Sequence, residues 1–568
     1  MPTHPLNHWR LTRHTIVAIT ACVAVGASAM SQDSRPGHEQ RLPGRIISSL
    51  TFHDATASAQ RCRESHARQF GSLCDRFLAG IDSRRPEISA RLQKDIGINQ
   101  DEFCELGLGQ ITVASVKVSD QPLAMIALLD FEKRSLMDRI VARLNQAVID
   151  ANFQRSDLTV GETRIAVFQR DSPQREFAVC IHDNTLCLAT RSGVLAAMLQ
   201  VWNSPASDTL SVPAYAAVRE HCHVDGRLPV LTWFVDPISL LTEVTLAEES
   251  RESEFRQFFL SLIPQLGLDK LHGIGGTFDV GGDDYASIVR VQFVMDGPPS
   301  GLLSILHLQS DELRPPAWML QETSSYLAFH WDLDRFFAGS GEVLAILAGE
   351  NALQDYLNKI SLLRGGLDLK RDVADRLTGR VTMTQPMIDG QARWMVALQV
   401  RDPQQIAELM RDSNSNPTSV GGNRTDPAET SVKICRRHAF GMDVCVALVE
   451  DSLLISDCEP AIQQTIAAAS KPKHIQVSLE RAVTCLPEKC LMQALNSTDP
   501  TLSAVYEYLR TETTPEKTLG VDFSLLPEFD QVKRRIGPSA ACAVQNSAGI
   551  LFTHRSLLPG GGDPTAAR

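Results

Sequence analysis

The sequence predicts an α+β protein of two homologous halves, with antiparallel sheets covered by helices. Two observations carry this. The first is an internal copy. GLDLKRDVADRLTGRVTMT, a polar turn and WMVALQVRD repeat the plan of GINQDEFCELGLGQITVAS, a turn and AMIALLDFE. Gly109 falls on Gly379, Thr112 on Thr382, and Met125 to Leu128 on Met395 to Leu398, at a constant offset of 270 residues. The second is a local plan used four times: an extended apolar run, a polar residue, then a helix. It occurs in RIISSLTFHDATASAQ from Arg45, LPVLTWFVDPISLLTEV from Leu228, SSYLAFHWDLDRFFAG from Ser324 and HIQVSLERAVTCL from His474.

The elements justify this in order. The N-terminus reads as an export signal, residues 1–29: Arg10 and Arg13, the apolar run Thr15 to Gly26, then Ala27-Ser28-Ala29 as a cleavage site. Retention as an anchor and acylation at Cys22 stay open as alternatives. Residues 30–44 are polar and carry Pro and Gly, so they read as a flexible lead. The four apolar runs are rich in β-branched and aromatic residues, which suit strands. Asp54, Asp236 and Asp332 stand where a carboxylate accepts from the first free N–H groups of a helix. Pro237 suits a first helical position.

Further on in each unit comes Gly, an aliphatic residue, then Asn or Asp: Gly97-Ile98-Asn99, Gly267-Leu268-Asp269, Gly366-Leu367-Asp368 and Gly520-Val521-Asp522. Gly just past a helix is the usual left-handed cap. Helices are expected at about 135–148 and 403–411, followed by paired strands in which Cys180 corresponds to Cys445. The order is A-B-A-B, with a first half at 45–312, a second at 313–560 and a disordered tail at 561–568. The stretch 411–432 reads as a long exposed loop.

Composition is that of a globular protein, 43% hydrophobic and 21% charged over 568 residues. A net charge of −12 and a pI near 5.7 argue against nucleic acid as a partner, since that needs a basic footprint. Cys180 and Cys187 bracket IHDNTL, a hairpin turn, and Cys485 and Cys490 bracket LPEK; each pair is a disulfide candidate in an oxidising compartment.

Four constellations invite chemistry, and each has a plainer reading. His221-Cys222-His223 offers two imidazoles on one side of a strand, but zinc needs three or four ligands, so a polar loop is the better account. Gly273-Ile274-Gly275-Gly276 lacks the strand-then-helix setting of a dinucleotide fingerprint and reads as close strand packing. Gly281-Gly282-Asp283-Asp284 reads as a hairpin turn rather than a calcium loop. His53-Asp54 and His330-Trp331-Asp332 could pair a base with its orienting carboxylate, yet neighbours on a strand point to opposite faces, and helix capping explains the Asp. No catalytic, cofactor-binding or metal-binding residue is assigned, and no cofactor is implied.

The chain also resembles a group of exported proteins of unknown function typical of planctomycete bacteria. The stretches that carry the likeness are DYASIVRVQFVMDGPPSGLLSIL, PPAWMLQETSSYLAFHWDLDRFF, GLDLKRDVADRLTGRVTMT and IGPSAACAVQNSAGILFTHRSLLP. The resemblance implies export and repeated α+β units, and brings no catalytic residue with it.

The leading expectation is an exported, periplasmic or envelope-associated binding or scaffold protein without catalysis, partnered by an envelope protein. It touches the membrane only if the N-terminal segment is retained or lipidated. One alternative is an exported hydrolase or metal-dependent enzyme with its site between the halves; another is a carrier of an apolar ligand.

Overall fold

The computed structural model describes residues 37–559 apart from 75–78, 80–84, 96, 119–120, 171, 203–211, 224–226, 248–259, 283–284, 298–300, 364–367, 413–433, 440–441, 470–476, 498–499 and 514–521. The export signal, the tail, almost all of the long loop, Gly366, Gly520 and the Asp283-Asp284 couple therefore lie outside the described residues. The chain forms two compact units. One takes Met1–Arg251, His272–Val294 and Ser503–Arg535; the other takes Glu252–Leu271, Met295–Leu502 and Ile536–Arg568.

The strands of the first unit are β1 (Arg45–Phe52), β2 (Leu108–Lys117), β3 (Ala124–Phe131), β4 (Gln154–Val160), β5 (Thr163–Arg170), β6 (Ser172–His182), β7 (Thr185–Ala189), β8 (Leu231–Val235), β9 (Leu271–Val280) and β10 (Tyr285–Met295). They lie in the order β4-β5-β6-β7-β3-β2-β1-β8-β9-β10, and the pairings from β4 to β9 are antiparallel. Its helices include α1 (Ala55–Phe70), α2 (Arg134–Asp150), α3 (Ser192–Val201), α4 (Pro213–His221) and α5 (Pro237–Ala247).

In the second unit the strands are β11 (Leu308–Gln309), β12 (Thr323–Trp331), β13 (Leu377–Ile388), β14 (Gln391–Ala392), β15 (Met395–Val400), β16 (Cys435–Ala439), β17 (Met442–Val449), β18 (Ser452–Ser456), β19 (Met492–Asn496), β20 (Ser539–Asn546) and β21 (Gly549–Leu557). Their order is β16-β17-β18-β15-β13-β12-β19-β20-β21, again antiparallel, with β11 beside β12 and β14 beside β13. Helix α6 (Leu333–Ala348) packs with α7 (Ala352–Leu363), and α8 (Pro403–Asp412) and α9 (Glu459–Ala469) pack with the strands. Read across the sheets, β5-β6-β7-β3-β2-β1-β8-β9-β10 matches β16-β17-β18-β15-β13-β12-β19-β20-β21 strand for strand.

The copy extends to irregularities. β1 and β12 each slip by one residue near their start, where Ile46 and Ser48 face Val116 and Ser115, and Thr323 and Ser325 face Pro386 and Gln385. Bulges of this kind are specified features rather than noise. A second bulge differs. Gly109 and Gln110 lie opposite the single Asp130, whereas Thr378, Gly379 and Arg380 lie opposite Gln399. The connection that follows is one residue shorter in the second unit, and this breaks the constant offset. Thr112 pairs with Leu128, but Thr382 pairs with Ala397, not Leu398. Two further correspondences shift as well. The turns after His182 and Val449 place Ala447, not Cys445, where Cys180 stands in the first unit. The apolar run from His474 is not the fourth opening strand either: a helix covers Val477–Thr484, and β19 begins at Met492.

Capping follows the sequence. Asp54 Oδ1 accepts from the Ala57 N–H at 2.7 Å, Asp236 Oδ1 from Ser239 at 2.9 Å and Asp332 Oδ1 from Arg335 at 3.0 Å. Gly97 and Gly267 take left-handed φ values of 81° and 69°. The lead is a correction. His38–Arg41 form one 3-10 turn, and His38, Glu39 and Leu42 are 0%, 6% and 1% exposed. Order thus begins before Arg45. One core lies between α2 and the sheet, around Leu129, Phe131, Met137 and Phe168; in the second unit another gathers Trp318, Met319, Tyr326 and Leu454. Among the described residues, no helix is long and apolar enough to cross a membrane.

Candidate functional site

The His–Asp couples do not act as couples. His53 Nε2 lies 2.7 Å from Thr232 Oγ1, while Asp54 faces its own helix. His330 has Nδ1 3.0 Å from Asp311 Oδ2 and Nε2 3.0 Å from the Thr378 carbonyl, while Asp332 caps α6. His221 ends α4 and Cys222 follows it, fully buried, its thiol pushed up to about 12 by that burial. Residues 221–223 therefore leave a helix rather than run along a strand. Among the described residues, no group of three His, Cys, Asp or Glu side chains could hold a metal ion. The glycines at 273–276 lie inside β9. A Cβ at Gly273 would sit 2.5 Å from the Phe234 ring, and one at Gly276 would sit 2.1 Å from the Arg290 carbonyl, so close packing is their role.

A polar cluster that no motif announces lies on the inner face of the first sheet. Thr112, Thr51, Thr232 and Thr277 stand in one row across β2, β1, β8 and β9, and all four are buried. The second unit has Thr382, Ala328, Gln493 and Cys542 in those places. Thr51 Oγ1 is 3.0 Å from Thr112 Oγ1. Over this row lies the 3-10 turn. His38 Nδ1 is 3.2 Å from Thr112 Oγ1, and its Nε2 is 2.9 Å from Asp130 Oδ1. Gln110 grips the turn twice: its Nε2 donates to Glu39 Oε2 and its Oε1 accepts from the His38 N–H, both at 3.3 Å.

Burial without partners disfavours charge. Burial pulls the Glu39 carboxyl up, but His53, the residue's own N–H, Arg219 and Thr51 outweigh it and hold the group below the usual range. Burial also holds His53 below its ordinary value, helped by Arg219, Arg61 and His38 and opposed by Glu39. Asp130 is lowered too: burial raises it, and His38, Thr185 and Arg41 prevail. Burial and the Glu39 charge push the Tyr215 phenol well up. Isolated threonines are ordinary in strands, and His38 and Glu39 lie in a stretch that reads as a lead, so only the register unites them.

A second buried charge is pinned nearby in the same unit. Asp279, 0% exposed, meets Arg227 Nε at 2.8 Å and Arg61 Nη1 at 3.0 Å, and accepts from the Tyr285 hydroxyl at 3.3 Å. In the second unit a recess of about 490 Å³ is lined by charges of both signs, among them Arg436 and Glu459, which pair at 2.6 Å.

The opposite face of each sheet carries an apolar row. Val113, Leu50 and Trp233 stand in one row, and Met125 lies on the same face. Leu50 and Met125 are each 36% exposed, and Val113 and Trp233 are half-buried. In the second unit Ile455, Val396, Met383 and Leu327 form the matching row, with Met383 42% exposed.

No family model matches the chain, and no curated protein matches it. The likeness to exported planctomycete proteins thus gains no family assignment. Among solved structures, crystal form III of the Treponema protein TP0453 is similar at 10% identity and a TM-score of 0.24, covering 48% of this chain and 86% of that one. Crystal form I gives 10% identity, a TM-score of 0.22, and 46% and 80%. Superposition this loose leaves fold and function to be argued from the chain itself.

Proposed function

We propose that the chain is an exported, noncatalytic binding protein of the bacterial cell envelope, which holds a partner protein on bare apolar sheet. The observation that carries this is the row Val113–Leu50–Trp233, matched in the second unit by Met383–Leu327–Ala494 and half-buried to exposed in both. Contiguous apolar surface in water is costly to expose and marks interaction sites. In the first unit α2 covers the Ile111–Leu129 end of this face, and the exposed Leu50 and Met125 beside it suit a protein surface better than a lipid, whose carriers surround the chain they hold. Export rests on the N-terminal sequence. The test is affinity capture of the tagged protein from its native envelope, beside Leu50→Glu and Met383→Glu variants. One protein recovered in near-stoichiometric yield, and lost with variants that keep their circular dichroism, supports the reading. Recovery of the chain alone, or of the same protein with both variants, contradicts it.

A further inference from the structure

β4 is the edge of the first sheet, and among the described residues its one pairing is with β5. Natural sheets blunt such an edge with Pro, Lys, a bulge or a cover, because its free backbone groups are a template for another strand. β4 uses none of these. Its sequence QRSDLTV holds no Pro or Lys, it runs against β5 without a register shift, and Gln154 to Thr159 are all exposed. The free groups can be assigned. Val160 and Thr163 face each other across the two-residue turn Gly161-Glu162, so they form a hydrogen-bonded pair. Such pairs alternate along an antiparallel ladder. Val160, Leu158, Ser156 and Gln154 therefore point their N–H and C=O groups at β5. Thr159, Asp157 and Arg155 point theirs outward.

We propose that a second copy of this chain pairs with this edge, β4 against β4, antiparallel about a twofold axis through Ser156. The charge order of the strand selects both the occupant and the register. An axis through Arg155 or Asp157 sets like charges directly opposite each other, which is destabilising. An axis through Leu158 sets Arg155 against Gly161 in the turn. An axis through Ser156 sets Arg155 against Asp157 of the second copy, and Asp157 against its Arg155, and these are the residues whose backbone groups point outward. The edge is thus its own complement in charge and in hydrogen bonding. Arg155 and Asp157 already lie on one face, 3.2 Å apart, with Arg164 at 2.5 Å from Asp157, so the two copies join their charges in one patch. This interface uses the rim of the first sheet and not its apolar row, so it stands independently of the docking face proposed above.

Cysteine trapping of the full chain, in cells that export it, tests this. On the axis, Ser156 meets its own twin as a non-hydrogen-bonded pair with Cα atoms about 4.5 Å apart, within reach of a disulfide. Leu158 is exposed on the same face but stands opposite Gln154 of the second copy, about 13 Å from its twin. Under mild oxidation, Ser156→Cys is expected to give a non-reduced band of twice the chain's mass that Leu158→Cys and the wild type do not. No such band, an equal band from Leu158→Cys, or an adduct with a different protein overturns the proposal. Light scattering of the purified chain checks the register. Asp157→Arg should be monomeric where the wild type is dimeric, and Arg155→Asp combined with Asp157→Arg should restore the dimer. A dimer that survives Asp157→Arg, or a double variant of native circular dichroism that stays monomeric, contradicts the pairing.

Discussion

His38 Nε2 lies 2.9 Å from Asp130 Oδ1, with the histidine fully buried and the carboxylate one-fifth exposed. Asp130 also accepts from the Thr185 hydroxyl at 2.5 Å, so one side chain on β3 ties the N-terminal strap to β7. Removing it strands two polar groups. Asp130→Ala is expected to lower stability by about 2 kcal/mol, and Asp130→Asn by less, because an amide oxygen still accepts. Urea unfolding of both variants checks the order.

Asp279 has no solvent and two guanidinium partners, whereas Arg227 and Arg61 are each partly exposed, at 31% and 24%. Deleting one arginine leaves a buried charge with half its compensation. Arg227→Met is therefore expected to cost about 2 kcal/mol, with Arg61→Met adding more than its single effect in the Arg227→Met background. A double-mutant cycle measures this; simple additivity would show that the three groups act apart.

Gly379 and Gly109 occupy matching bulges with unequal demands. Gly379 has φ +97°, and a Cβ there would lie 2.0 Å from the Trp331 carbonyl; at Gly109 the nearest atom is Asp130 Cβ at 3.2 Å. Gly379→Ala should destabilise by about 2 kcal/mol or more, since the backbone would have to abandon its conformation. Gly109→Ala should cost visibly less, and thermal unfolding of the pair reads the difference.

Cys180 and Cys187 pair directly across β6 and β7, both buried, and burial with the neighbouring thiol raises Cys187 well above its usual range. Oxidation before the hairpin is covered is expected to join them, closing a short loop worth about 2 kcal/mol. Peptide mapping without reductant, on protein folded in an oxidising buffer, should find the linked peptide. Two thiols that alkylate freely after unfolding would show that they stay reduced.

The α+β class, the capping aspartates and the first copied strands were legible because each rests on local pattern. Asp54, Asp236 and Asp332 follow from a strand meeting a helix. What distant residues decide was not. Met125 and Met395 match in sequence, yet one is 36% exposed and the other 1%, because the connection from Thr384 to its partner Met395 is one residue shorter than that from Ala114 to Ile126, which moves the pairing by a step. A slip of one residue exchanges the faces of a strand. The polar cluster was hidden for a related reason: its threonines come from four strands, and His38 and Glu39 from a segment whose composition suggests no structure.

The apolar sheet face as a docking surface is tested most directly by a photo-crosslinking residue at Met125, and in parallel at exposed Glu162 on the turn between β4 and β5, in cells that export the protein. A discrete adduct with one envelope protein from position 125, absent from position 162, is the expected result. No adduct from position 125, or the same adducts from both, would contradict it.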